Sequence, residues 1–423
     1  MTIGFPAAEP PASPPGVSGQ PLVSEARSIG EQILRAARST KDGKLAWLDP
    51  LNPRDDAGNP VRLGPHLYDG TCGVALFLAC LEHATGSGEF REPTLRALAP
   101  LRRQMTHLVT VPTAAEKLQF KLGGAFGLGA YVYSFLRIGR WLGETVLLEE
   151  AAEIATLITP ERIAGDGGLD VASGGAGALL ALLRLDEEIP ESRRDAARPL
   201  ERALACGEHL LRRCVTQDGQ PPAWPANGYR PWCGFAHGVA GIAYALTALA
   251  ERTGREEFLA AARESLAYER LHYDPEHKNW RDLRGVGESF MTAWCHGAPG
   301  VALGRLGMIA VGDPEIESEM WRALETTRDY PLLDRDSICC GNLGRADILL
   351  QASQQLGEED LREAARELAW RAVTRAQDRG HYGGFTPEDC RFLPMFFTGA
   401  AGIGYALLRL AEVPDLPCVL RLD

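Results

Sequence analysis

A glycine step followed by an apolar run recurs seven times along this chain, and that repeat restricts the fold more than any other feature. The steps are Leu67-Tyr-Asp-Gly-Thr-Cys-Gly73, Gly124-Ala-Phe-Gly127, Gly174-Gly-Ala-Gly177, Gly238-Val-Ala-Gly241, Gly297-Ala-Pro-Gly300, Gly341-Asn-Leu-Gly344 and Gly399-Ala-Ala-Gly402. Their first glycines fall at 70, 124, 174, 238, 297, 341 and 399, a spacing of 44 to 64 residues that suits a helical hairpin with its loops. Each step leads into a run such as VALFLACL or IAYALTAL that is apolar on nearly every side, and a helix of that kind is buried. Between the runs lie charged stretches at 24–38, 92–108, 193–213, 256–271, 315–327 and 358–377. Their apolar positions recur every three or four residues, the pattern of a half-buried helix. Buried helices alternating with half-buried ones predict an all-α chain folded as an α/α toroid, a double ring of seven inner and seven outer helices.

In such a ring the inner helices converge at one end, where a Cβ atom would collide and glycine does not. The residues just before the glycines are then expected to line a central mouth: Asp69, Gly123, Ser173, His237, His296, Cys340 and Thr398. A concave mouth is where chemistry is to be sought.

The chain has 423 residues, 45% of them hydrophobic, enough for a large core. Residues 1–22 are rich in proline and glycine and predict a flexible tail ahead of one domain over 23–423. A net charge of −12 argues against a nucleic-acid or anionic-membrane surface. The N-terminal segment lacks the pattern of a signal peptide, and no uninterrupted apolar run reaches membrane-spanning length. Ten cysteines are scattered without a secretory framework, which predicts reduced thiols and a cytoplasmic protein.

Three of those cysteines are placed differently from the rest. Cys295, in Trp294-Cys-His-Gly297, and the pair Cys339-Cys340 stand before consecutive inner runs. Helix N-termini favour thiolates, and three thiolates on two neighbouring segments make the ligand set of one Zn²⁺ with a coordination position left open. Such an ion lowers the pKa of an incoming thiol from about 8.5 to below neutrality while keeping it nucleophilic. Cys72, Cys80, Cys206, Cys214, Cys233, Cys390 and Cys418 read as packing. His237, one residue before its glycine, can pass protons near neutral pH. Asp170, in Leu169-Asp-Val-Ala-Ser-Gly174, has two readings open, as an orienter of His237 or as a helix cap. Asp69 reads as a cap.

LDVASGGAG, GFAHGVAGIAYAL, AWCHGAPG, the CCGNLG segment and FFTGAAGIGYALLRLA together resemble the lanthionine synthetase C-like (LanC-like) cyclases over residues 23–423. LYDGTCGVALFLA and the last string are most similar to the cyclase domain of the two-domain class II lanthipeptide synthetases, with no match here to their dehydratase domain. The resemblance implies an α/α toroid with one zinc, held by Cys295, Cys339 and Cys340, the last standing where many members carry histidine. The three-cysteine form is associated with broadly tolerant cyclases. His237 matches the proposed general acid/base, Asp170 its acidic partner, and His296 an active-site Tyr or His beside the first ligand. Members often carry an arginine four residues before that ligand; here the place is held by Met291, which leaves three readings open: the charge comes from Arg284, from Arg335, or is absent.

The activity implied is zinc-dependent Michael-type addition of peptide cysteine thiols to dehydroalanine or dehydrobutyrine, giving lanthionine or methyllanthionine rings. The partners implied are a dehydrated precursor peptide and a dehydratase, with two readings open: a separate dehydratase chain, or a dehydratase domain from which this cyclase domain is excised. Two other readings remain at the sequence level: addition of glutathione to dehydroamino acids, and a zinc-stabilised peptide-binding scaffold without turnover.

Overall fold

Seven helices begin directly after glycines whose place no larger residue could take. In the computed structural model, which describes residues 19–111, 113, 114, 118, 120–217, 219–225, 230–285, 287, 289–384 and 391–423, they start after Gly70, Gly127, Gly174, Gly238, Gly297, Gly341 and Gly399. A Cβ on Gly344 or Gly402, one turn into its helix, would lie 1.9 or 1.8 Å from a carbonyl oxygen of the preceding loop. Each inner helix therefore folds back against its own entry loop at a distance that only glycine permits. Residues 1–18 of the expected tail and Cys390 lie outside the described residues.

The inner helices are α2 (Thr71–Thr85), α4 (Leu128–Leu142), α7 (Gly175–Glu188), α10 (Val239–Thr253), α12 (Ala298–Leu306), α14 (Asn342–Leu356) and α16 (Ala400–Leu410). Their residues are buried almost throughout, as the apolar runs predict. Each packs on its two ring neighbours, and α16 packs on α2, so the inner ring closes. Outside it stand α3 (Arg91–Thr110), α5 (Thr145–Ala155), α9 (Pro199–Arg213), α11 (Glu256–Leu271), α13 (Pro314–Asp329) and α15 (Glu359–Arg379), each against the inner helix before it in sequence. The seventh outer place belongs to α1 (Gln20–Ala36), which covers α16 and closes the outer ring across the two ends of the chain. The fold is the expected α/α toroid. Two short helices, α6 (Pro160–Ala164) and α8 (Glu191–Ala197), and two small hairpins, β1–β2 (Arg38–Ser39, Leu45–Ala46) and β3–β4 (Tyr273–Asp274, Asn279–Trp280), decorate the loops.

Two local expectations change. The stretch 193–213 is not one helix: it breaks at Arg198, which has φ of 48° immediately before Pro199, because a proline ring disfavours the α conformation in the residue before it. The second mouth position is Phe126 rather than Gly123, since α4 is capped by Gly127, the second glycine of its step.

The mouth is closed by a circuit of seven backbone hydrogen bonds. Tyr68 N–H donates to Ala125 C=O, Ala125 to Ala172, Ala172 to Ala236, Phe235 to Trp294, Trp294 to Cys339, Cys339 to Phe397, and Phe397 back to Tyr68, at 2.9 to 3.3 Å. Loops far apart in sequence thus pair like short strands and satisfy one another's buried polar groups. Beneath them the last residues thread the ring: Leu420 C=O accepts from Trp294 Nε1 at 3.0 Å, and Asp423 accepts from Tyr244 and Arg137. Among the described residues no helix is long and apolar enough to cross a membrane.

Candidate metal centre

The mouth circuit brings the three cysteines together. Trp294 bonds directly to Cys339, so the entry loops of α12 and α14 lie side by side. Six of the loops place one residue between the circuit position and the cap glycine; the loop before α12 places two, Cys295 and His296. Gly297 absorbs the extra residue with φ of 87°, a region that L side chains avoid. Its Cβ would meet Met291 C=O at 1.8 Å. Facing it, Gly234 (φ 108°) lets the His237 loop lie against the backbone of Cys295.

The Sγ atoms of Cys295, Cys339 and Cys340 all lie within 4.8 Å of one another. Cys340 Sγ is 3.5 Å from Cys295 Sγ and 3.2 Å from Cys339 Sγ. Tetrahedral zinc with Zn–S bonds of about 2.3 Å needs sulfurs ~3.8 Å apart, so the donor set fits a zinc ion. Among the described residues no carboxylate or imidazole joins the group at that distance, which leaves a position for an outside ligand. The hydrogen bonds that Cys340 shares with Cys295 and Cys339 hold its thiol well below the usual range, and Cys340 is also the least buried of the three. Cys72, Cys80, Cys206, Cys233 and Cys418 are buried and free. Burial raises the Cys72 thiol to about 12 and that of the half-buried Cys214 to about 11, so both stay neutral packing groups.

Asp170 and His237 form the pair that the sequence left undecided. Asp170 Oδ2 accepts from His237 Nδ1 at 2.8 Å, and Asp170 Oδ1 accepts from Ser173 N at 2.6 Å and Ser173 Oγ at 3.0 Å. The carboxylate therefore does both things, capping its own loop and orienting the imidazole. It is 1% exposed, whereas His237 is only partly buried. An ionised carboxylate only accepts hydrogen bonds, so the proton sits on Nδ1 and Nε2 is left as the basic nitrogen.

His296 departs from expectation. The extra residue in its loop turns it inward, and it is 0% exposed rather than lining the mouth. Its Nδ1 donates to Cys233 C=O at 3.1 Å, its Nε2 has no hydrogen-bond partner among the described residues, and its ring packs 5.9 Å from that of His237. Burial, then the charge of Arg284, lowers its pKa to about 4, so it is a neutral neighbour of His237.

Tyr68 lies inside the first glycine step without a role read from it, Arg284 is one of the two candidate charges, and Glu269 has no motif to announce it. Tyr68 donates its hydroxyl to Cys339 Sγ at 3.2 Å from the first loop, two places round the ring. Glu269, on the outer helix α11, accepts from Gly234 N and Ala240 N, the two ends of the His237 loop, and Arg305 bridges it to Glu319 in a fully buried ion network. Arg284 is clamped by Asp282 at 2.7 and 2.9 Å and also donates to Met291 Sδ at 2.7 Å. Its guanidinium acts on both Cys295 and Cys340. Of the two arginines considered, Arg284 thus stands over the very side chain that occupies the missing arginine's place, and Arg335 also acts on Cys340.

Residues 62–420 match the family described as lanthionine synthetase C-like protein. The lacticin 481/lactococcin biosynthesis protein LcnDR2 of Lactococcus lactis subsp. lactis is 25% identical over 188 residues, 41% of this chain and 20% of that protein. The match therefore spans about a fifth of that relative's length. Among solved structures, nisin cyclase superposes with a TM-score of 0.61 at 19% identity, over 84% of this chain and 92% of that one, which establishes the shared toroid.

Proposed function

We propose, from the premise that the chain belongs to the lanthionine synthetase C-like family, that it is a zinc-dependent cyclase acting on a dehydrated precursor peptide. It joins cysteine thiols of that peptide to dehydroalanine or dehydrobutyrine, forming lanthionine and methyllanthionine rings. The observation that carries this reading is the three-thiol cluster one loop away from an Asp-oriented histidine. Cys295, Cys339 and Cys340 would hold the ion. When bound, zinc supplies a site that acidifies a thiol while leaving it nucleophilic.

The protein's own groups manage charge and protons. His237 Nε2, kept basic by the Nδ1–H bond to Asp170, takes the proton of the substrate thiol. The sulfur electron pair forms the C–S bond to the β-carbon, the C=C bond opens, and its electrons move onto the amide oxygen as an enolate. His237 then returns a proton to Cα, so the ring forms with no change of peptide mass. Arg284 places a positive charge beside a centre that is already anionic, and opposes the negative charge that develops on the enolate. His296 acts on His237 by packing rather than by proton transfer. Because both reacting groups belong to one peptide, holding them in one cavity supplies the proximity term. The substrate needs dehydrated serine or threonine, so a dehydration reaction must precede this one.

The test is incubation with a pre-dehydrated peptide, counting alkylatable thiols. A falling thiol count at constant peptide mass is the expected result. An unchanged count with zinc-loaded protein would overturn the reading. Arg284→Met is expected to slow cyclisation about tenfold, the effect of removing one favourable charge interaction worth about 1.4 kcal/mol in the transition state, with zinc content unchanged. Rates equal to those of the parent protein would remove Arg284 from the mechanism.

A further inference from the structure

The metal centre has a fourth protein element that supplies no ligand. Tyr68 stands at the first mouth loop, while Cys339 stands at the sixth. The Tyr68 hydroxyl nevertheless reaches Cys339 Sγ at 3.2 Å. Its ring is held on both faces, with Phe126 at 4.5 Å and Phe397 at 5.0 Å, the latter inclined by only 7°. Its backbone is fixed as well: Tyr68 N–H donates to Ala125 and its C=O accepts from Phe397, whose own C=O accepts from Cys339 N–H. The donor and the sulfur are thus locked to the same short stretch of the mouth circuit. Among the described residues, Cys339 is the only one of the three sulfurs that accepts a hydrogen bond from a hydroxyl.

We infer that Tyr68 is a positioning residue of the metal centre, orienting Cys339 and drawing charge from its thiolate through the hydroxyl hydrogen bond. The inference rests on the zinc reading above. Three thiolates leave a bound zinc site at net −1, and an arriving substrate thiolate adds a further negative charge. A hydrogen bond to one ligand sulfur reduces its electron donation and offsets part of that excess. Outer partners of metal ligands orient them and tune the ion in this way. The rigid aromatic clamp gives the contact its precision, because a preorganised donor needs no reordering when the ion binds.

The variant Tyr68→Phe tests this, since phenylalanine fills the same slot between Phe126 and Phe397 and deletes only the hydroxyl. Zinc affinity, measured by competition with a chromophoric chelator, is expected to fall about tenfold. In the cobalt-substituted protein the sulfur-to-metal charge-transfer bands are expected to move to lower energy, because the unbonded thiolate is the better donor. A role in packing alone predicts neither change. Parental affinity and an unshifted cobalt spectrum in Tyr68→Phe, with the parent protein binding zinc, would overturn the inference and leave the zinc centre standing. A parent protein that binds no zinc would overturn both.

Discussion

Cys295→Ala is expected to strip the protein of zinc and to abolish cyclisation while leaving the toroid intact. Removing one of three protein ligands takes the site from three thiolates to two, and metal analysis of the purified protein should fall from about one zinc per chain to background. The fold should survive because Cys295 contributes neither a link of the mouth circuit nor a residue of an inner helix. The circuit passes through Trp294, and α12 starts after Gly297. Far-ultraviolet circular dichroism of the variant should therefore match that of the parent. Cys206→Ala is the control, a fully buried thiol on the outer helix α9, and it should keep its zinc. Cys340→His should also keep zinc, since imidazole is a zinc ligand. Retention of about one zinc per chain in Cys295→Ala would mean that the metal is held elsewhere or that the three thiols are not its ligands.

The ring was readable because it is a repeat. Seven apolar runs, each entered through glycine, state the number of inner helices, and the charged stretches between them state the outer layer. The cysteines were readable because two sit at the same repeat position and the third follows directly. What the sequence could not display is the offset at the fifth loop. Trp294 stands six residues before Gly300, as Phe235 stands six before Gly241 and Ile338 six before Gly344, so the register looks uniform. Only the backbone shows that Trp294 takes the circuit position that Cys339 and Ala236 hold elsewhere. That shift buries His296 and turns Cys295 towards Cys340. The roles of Tyr68 and Glu269 were hidden for a related reason: each acts between distant loops or between layers, where sequence distance carries no information. Glu269 illustrates the point, an acidic residue on an outer helix that looks solvated in sequence yet is 0% exposed and ties down the histidine loop.

The mouth circuit also explains how one centre is assembled from loops more than a hundred residues apart. Its hydrogen bonds fix the loop backbones before any side chain is chosen, so each loop offers its next residue to the same small space. Asp69, Phe126, Ser173, His237, Cys340 and Thr398 occupy that position in six of the loops. The hydrogen-bonded acid–imidazole pair and the thiols stand on consecutive loops, with Asp170 and His237 on the third and fourth and the thiols on the fifth and sixth. The first loop, through Tyr68, reaches over the seventh to touch them.

His237→Ala is expected to slow cyclisation of a pre-dehydrated peptide by about 10²- to 10⁴-fold, the usual contribution of a positioned acid–base group. Zinc content should be unchanged, since neither ring nitrogen belongs to the thiol cluster. Asp170→Asn should have a smaller effect, about 10²-fold, because the imidazole remains but loses the charge that fixes its Nδ1 proton and supports its cation. The two losses should not add. Asp170 reaches the reaction only through the 2.8 Å bond to His237 and otherwise bonds within its own loop. Once His237 is gone, removing the carboxylate's charge has nothing left to act on, so the double variant should be as slow as His237→Ala and no slower. A double variant slower than His237→Ala by the full Asp170→Asn factor would give the carboxylate a role of its own, and a fast His237→Ala would move the proton transfer to another group.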